Sequence, residues 1–278
     1  TLGVDLQQDK NAVEQFQLED WVSKRLKHDN LMQCYPHNTE KKYLFQCYEY
    51  LQGETLAQWL HRQEKPLNLD EILPILQQTA LALNAMHRLE MLHQDIRPKN
   101  IMVINAENAM KIKLIDYGST AVRGLVEINP KNANRALGTL AFMAPEYFID
   151  HSSSVHSDQF SLAVMAYYLF TKQLPYGTDL ARCNSLKQMK KVQYHSIRKY
   201  RPDLPIWLDK ILGQALSIEP IHRFEALSEL IHNLMHPSKE LLNSKPPAII
   251  ERDPLRFWQM SCAVLGLLFL LSIAWPFI

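Results

Sequence analysis

HQDIRPKNIMVINAENAMKIKLIDYG, His93 to Gly118, is the stretch whose reading decides the fold. Two short apolar runs, Ile101–Ile104 and Lys111–Ile115, flank the turn-forming tetrapeptide Asn105–Asn108. That pattern predicts a β-hairpin, its second strand alternating Lys111, Ile112, Lys113, Leu114. Asn100 stands just before the first strand and Asp116 just after the second, so a hairpin brings both to its open end. An amide oxygen beside a carboxylate suits a hard divalent ion such as Mg²⁺, which keeps several waters of its own. Asp95, five residues before Asn100, can reach the same end and accept a proton from an attacking hydroxyl. With Mg²⁺ alongside, phosphoryl transfer is the chemistry that fits.

Toward the amino terminus, Tyr43–Leu51 (YLFQCYEYL) is rich in aromatic residues and predicts a strand. Gly53 follows, then a short helix from about Thr55 to Arg62. Asn68 and Glu71 form a capping pair for a helix that runs to about Arg88, burying Ile72, Leu76, Leu83 and Met86, with Pro74 expected in its first turn. A helix is expected over 12–27, with Phe16, Val22 and Leu26 on one face. Glu19 shares that face, and a carboxylate among core-facing residues needs a cationic partner.

Toward the carboxyl terminus the pattern is helical from about Asp158, ending on the stripe Phe224, Leu227, Leu230, Ile231 and Leu234. Pro237–Arg256 reads as a linker. Phe257–Ile278 carries no charge, and about 20 helical residues match a hydrocarbon layer of about 30 Å. Trp258 and Trp275 lie near its ends. Lys239, Lys245, Arg252 and Arg256 precede the run and no basic residue follows, so the expectation is a single span with the upstream domain on the cytoplasmic side. The net charge of +1 gives no reason to expect nucleic acid as a partner, and Cys34, Cys47, Cys183 and Cys262 lack metal-ligand or disulfide spacing.

Three motifs then carry a resemblance. His93–Asn100 (HQDIRPKN) resembles the protein kinase catalytic loop, Asp116–Gly118 (DYG) resembles its metal-binding D-F-G, and Gly138–Glu146 (GTLAFMAPE) resembles the end of its activation segment. All three stand in the family's order and spacing, and the resemblance extends from about Asp5 to Met235. It implies an eukaryotic-type serine/threonine protein kinase, with ATP and Mg²⁺ as cofactors and protein Ser/Thr hydroxyls as substrate. Asp95 is then the catalytic base, Asn100 and Asp116 hold Mg²⁺, Arg97 replaces the usual lysine toward the γ-phosphate, and Thr139 bonds the catalytic loop. Glu49, Tyr50 and Leu51 resemble the hinge that meets adenine, with Tyr48 guarding the pocket. Glu146 is expected to pair with Arg223, and Asp158 to support the catalytic loop. His93 is expected to pack beneath that loop, and His87 and His156 to be loop or packing residues.

The expected fold is α+β: a bilobal, kinase-like domain over 1–236 with an incomplete amino-terminal lobe and a mainly helical second lobe, a linker over 237–256 and a transmembrane helix over 257–278. Some features depart from the family. Gln94 replaces the arginine that grips a phosphorylated activation segment, which argues against that switch, although Ser119 and Thr120 offer hydroxyls. No glycine-rich loop or strand lysine is present. The helix bearing Glu19 resembles the one whose glutamate pairs with that lysine, so loop and lysine are expected upstream of Thr1, and Lys10 is a poor substitute. The surroundings of Glu19 also resemble proteobacterial proteins in which a PP2C-type phosphatase precedes the kinase. The alternatives are a pseudokinase or scaffold, against which the joint presence of Asp95, Asn100 and Asp116 argues, and a small-molecule phosphotransferase, against which the APE segment and Arg223 argue.

Overall fold

The computed structural model describes residues 3, 6, 8–36, 44–106, 109–123, 140–149, 152–183, 185–243 and 254–274, and only the backbone of 105, 106, 109, 254, 256 and 267–274. The chain divides into two compact units, Thr1–Ser238 and Lys239–Ile278.

In the larger unit, α1 (Lys10–Ser23) opens on Asp9, whose carboxylate accepts the Asn11 N–H at 2.9 Å. It ends four residues before the expected 27, yet Leu26 is still buried through the turn that follows. The strand expected over 43–51 shrinks to β2 (Cys47–Tyr48), paired antiparallel with β1 (Cys34–Tyr35). Pro36 follows β1 directly and has no N–H to extend the ladder. Tyr43 lies outside the described residues.

Two helices begin at complete capping boxes. Thr55 and Gln58 start α2 (Leu56–Arg62), and Asn68 and Glu71 start α3 (Leu69–His87). Pro74 falls in the second turn of α3, not its first, where its ring removes the bond to the Asp70 carbonyl. Burial of Ile72, Ile75, Leu76, Leu83 and Met86 offsets that loss.

The hairpin is longer than expected. β5 (Ile101–Ala106) and β6 (Ala109–Leu114) pair from Ile101↔Leu114 to Ala106↔Ala109, with residues 107 and 108 outside the described set. β3 (Glu54–Thr55) joins β5 on its other side. The outer edge of β6 is closed by side chains. Gln78 on α3 accepts the Ile112 N–H (3.0 Å) and donates to the Met110 carbonyl (3.0 Å), while Asn30 donates to the Ile112 carbonyl (2.9 Å). Lys113 of the alternating strand is buried. A third pair, β4 (Met91–Leu92) with β7 (Ala121–Val122), brackets the catalytic stretch.

After the short α4 (Pro145–Ile149) comes α5 (Val155–Thr171), which begins three residues before Asp158. Every residue from Ser157 to Tyr167 is buried, as befits a central core helix rather than an amphipathic one. It contacts α3 and α7 (Ile206–Ala215), and α3 also packs on β6 and on α8 (Leu227–Met235). Between α5 and α7 lies the one-turn α6 (Leu186–Met189). Gln159 of α5 satisfies both backbone groups of Phe224, tying in the approach to α8.

The second unit holds α9 (Lys239–Leu242), inside the expected linker, and α10 (Pro254–Ala274). Among the described residues, no helix is long and apolar enough to cross a membrane. The span expected over Phe257–Ile278 reaches past Gly266, beyond the described side chains.

Gly53 explains itself by contact: a Cβ there would lie 2.1 Å from the Val103 carbonyl oxygen on β5. Gly53→Ala must push β3 off β5, and we expect a loss of roughly 1–3 kcal/mol or more in chemical denaturation. An unchanged midpoint and slope would show that the strands are not so closely apposed.

Candidate active site

The stretch between β4 and β5 is held from below. Asp158, 1% exposed, accepts the N–H groups of His93 (3.0 Å) and Gln94 (2.9 Å) and a bond with His87 Nε2 (2.8 Å). Burial pushes this carboxyl up, but the His87 bond and charge, the His93 charge and the Gln94 N–H together hold it below the usual range. His87 is therefore a bonding partner in the core, not merely a packing residue. His93 is fully buried beneath the loop, and its Nδ1 accepts the Asp95 N–H at 3.3 Å. Gln94, at φ 64°, donates from its side chain to Ser153 Oγ (2.7 Å). The position that would hold an arginine is thus tied to the segment leading into α5.

From this anchor the chain passes Arg97 into a single 3₁₀ turn, Pro98–Asn100, that meets β5. The Asn100 side-chain amide donates to Asp95 Oδ2 and to the Asp95 carbonyl, both at 2.8 Å. Its carbonyl oxygen is left without a hydrogen bond among the described residues. The Ile115 N–H donates to the Asn100 backbone carbonyl (2.9 Å), closing the open end of the hairpin and placing Asp116 beside it. Asp116 is exposed, sits at φ 68°, and accepts the Gly118 N–H through Oδ1 (3.2 Å).

These donors fit a magnesium nucleotide. Asp95 Oδ1 is buried with no partner among the described residues, which is costly unless a substrate group supplies one. No cluster of three or more His, Cys, Asp or Glu gathers among the described residues. Two protein oxygens, from Asn100 and Asp116, match a cation that takes its remaining ligands from water and phosphate.

Glu19 of α1 reaches the same place. A Cβ on Gly118 would lie 3.3 Å from Asp116 Oδ1 and 3.5 Å from Glu19 Oε2, so the two carboxylates face a common point. Burial, and then the Asp116 charge, push the Glu19 carboxyl above its usual range, and the Tyr48 hydroxyl opposes this by donating to Glu19 Oε1 (3.2 Å). Gln46 Oε1 competes for that hydroxyl at 2.8 Å. No salt-bridge partner for Glu19 is present among the described residues.

Tyr48 and the three hinge residues divide. Tyr48 points its hydroxyl at Glu19. Glu49 turns its carboxylate onto Lys113, which also donates to the Leu31 carbonyl (3.2 Å). Tyr50 has a side chain 92% exposed, and Leu51 is half-buried. Any role for this stretch toward adenine therefore falls to its backbone. Thr139 lies outside the described residues. Thr120 is buried and does not present a hydroxyl for modification. Arg223 bonds Glu146 in a two-pronged pair (2.9 and 2.8 Å) and also reaches the Ser217, His156 and Ile218 carbonyls, pinning α4 to the helical part. The Lys113–Glu49 pair and the Asn30–Gln78 clamp were not found by sequence reasoning. The one available signal was a lysine flanked by Ile112 and Leu114 just ahead of Asp116.

The protein kinase domain family model matches residues 3–237. The chain belongs to the protein kinase family. This kinase domain is 25% identical over 229 residues to the serine/threonine-protein kinase PrkC of Bacillus subtilis, covering 82% of this chain and 34% of PrkC. It is 30% identical over 221 residues to the serine/threonine-protein kinase pkn3 of Myxococcus xanthus, covering 77% of this chain and 40% of that protein. Among solved structures, the kinase domain of Mycobacterium tuberculosis PknI matches with a TM-score of 0.63 at 24% identity, over 85% of this chain and 84% of that one. The bilobal kinase fold is shared, and the chain spans little more than a third of the length of these curated relatives.

Glu19 gives a pH-dependent expectation. Its pKa is raised in the fold, so its ionisation costs stability above the folded value and costs nothing below about 4.5, where the carboxyl is protonated in both states. Glu19→Gln should raise the thermal midpoint near pH 7.5, and the gain should vanish toward pH 4. A variant less stable than the parent at both values would contradict the burial and Asp116 repulsion described here.

Proposed function

We propose that this domain is an ATP- and Mg²⁺-dependent serine/threonine protein kinase that phosphorylates protein substrates at the cytoplasmic face of a membrane. The observation that carries the reading is the bond from the Asn100 amide to the Asp95 carboxylate at the ribbon end where Asp116 emerges. A bound magnesium nucleotide would supply the transferable phosphoryl group and the charge neutralisation that the transfer needs. Asn100 and Asp116 would hold the cation through oxygen. Asp95, steadied by Asn100 through Oδ2, keeps Oδ1 to orient the attacking hydroxyl and take its proton. Arg97 adds positive charge toward the transferred group. The names of the relatives, PrkC and pkn3, support serine and threonine as acceptors.

The alternative reading is a scaffold that uses the fold for partner binding. Catalysis separates the two readings. Asp95→Asn in the full-length protein should lower phosphate transfer from ATP to serine- and threonine-containing protein by about 10²-fold or more, with the unfolding midpoint nearly unchanged. Undiminished transfer would remove Asp95 from the chemistry, and no transfer by the parent protein would favour the scaffold.

The uncharged run over 257–278, with basic residues only on its amino-terminal side, supports a single membrane span and a cytoplasmic domain. Protease added outside intact cells should leave the 1–236 domain whole and cut it only after lysis. Cleavage of the domain in intact cells would reverse the orientation, and recovery of the protein free of membranes would reject the anchor.

A further inference from the structure

Asp116 stands at φ 68°, in the left-handed region that a residue with a Cβ occupies at a cost. Such a conformation lasts only when its surroundings over-determine it. The next residue supplies the means. Tyr117 is 1% exposed, its ring lies edge-on to His93 (centroids 6.3 Å apart, 71°), and its hydroxyl faces the Met32 carbonyl at 3.0 Å and the Leu114 carbonyl at 3.3 Å. We propose that the Tyr117 hydroxyl is a positioning group, a latch that holds Asp116 in the geometry that faces the metal.

The acceptors are themselves fixed. The Met32 N–H donates to the Leu114 carbonyl (3.0 Å), the Leu114 N–H donates to the Asn30 carbonyl (2.8 Å), and Leu31 bridges to Leu114. The Asn30 side chain is bonded in turn to Ile112 and Gln78. The phenol therefore closes a ring of bonds that starts at the end of β6, runs through Ile115, Asp116 and Tyr117, and returns to the same strand. Asp116 lies inside that ring with both its neighbours tied. For the ring to swing away, a buried hydroxyl would have to give up the donation it shares between two carbonyls. A phenylalanine would fill the same space without this restraint. The role in metal binding rests on the kinase reading, whereas the latch itself rests only on the geometry.

Tyr117→Phe tests it, since the substitution removes one oxygen and keeps the ring. Hydrogen exchange of the intact protein should show the amides of 116–120 exchanging roughly two- to tenfold faster, as expected for one lost hydrogen bond, with those of α5 unchanged. The Mg²⁺ concentration that half-saturates ATP binding should rise by a similar factor, with binding at saturating Mg²⁺ little altered. Unchanged exchange at 116–120, or acceleration spread equally over α5, overturns the latch. Faster local exchange with an unshifted Mg²⁺ requirement overturns its part in positioning Asp116. If the unsubstituted protein binds no Mg²⁺-ATP, the kinase reading falls and takes the metal role with it, while the exchange data still decide the latch.

Discussion

Asp158 carries a negative charge into the buried first turn of the core helix α5, and among the described residues two backbone N–H groups of the catalytic loop and the His87 imidazole meet it. A carboxylate so deeply buried persists only when every acceptor position is matched. The match fixes His93 and Gln94 against the buried core helix α5. The loop that follows inherits that position, and the rest of the site is built outward from it. Asn100 grips Asp95, Ile115 closes onto Asn100, and Asp116 is delivered to the same end of the hairpin.

A second constraint acts from the opposite side. The far edge of β6 is fastened to α3 and to residues 30–32 by Gln78, Asn30 and Lys113, so the strand that delivers Asp116 cannot shift independently of the helical part. Lys113 extends the same fastening to Glu49, joining the hinge stretch to the metal-facing strand. Glu19 then approaches Asp116 as a like charge, and burial first and that charge second push its carboxyl above the usual range. The site is firmly built on its lower side, and on its upper side the Glu19 and Asp116 carboxylates face a common point.

Much of this was legible because the hairpin, the Asn68–Glu71 capping pair and the three kinase-like motifs are local patterns with fixed spacing. Asn68–Glu71 set a helix start to the residue, and the Glu146–Arg223 pair followed from motif resemblance. What was not legible depends on partners distant in sequence. The Tyr43–Leu51 run looked like a full strand, but its partner β1 stops at Pro36 and supports only two residue pairs. The burial of Lys113 was not legible because alternation reports which face a residue lies on, not whether Glu49 covers that face. The Tyr117 hydroxyl was invisible for the same reason, since its acceptor at Met32 lies 85 residues away.

The central claim is that Asp95, Asn100 and Asp116 form one oxygen-lined end that takes a divalent cation with a nucleotide. Anomalous diffraction from crystals of the protein grown with Mn²⁺ and a non-hydrolysable ATP analogue tests it most directly. The account predicts a manganese peak bonded to the Asn100 amide oxygen and the Asp116 carboxylate, with Asp95 facing the terminal phosphate. A nucleotide bound with its metal held elsewhere, or Asp95 turned away from the phosphate, would contradict it.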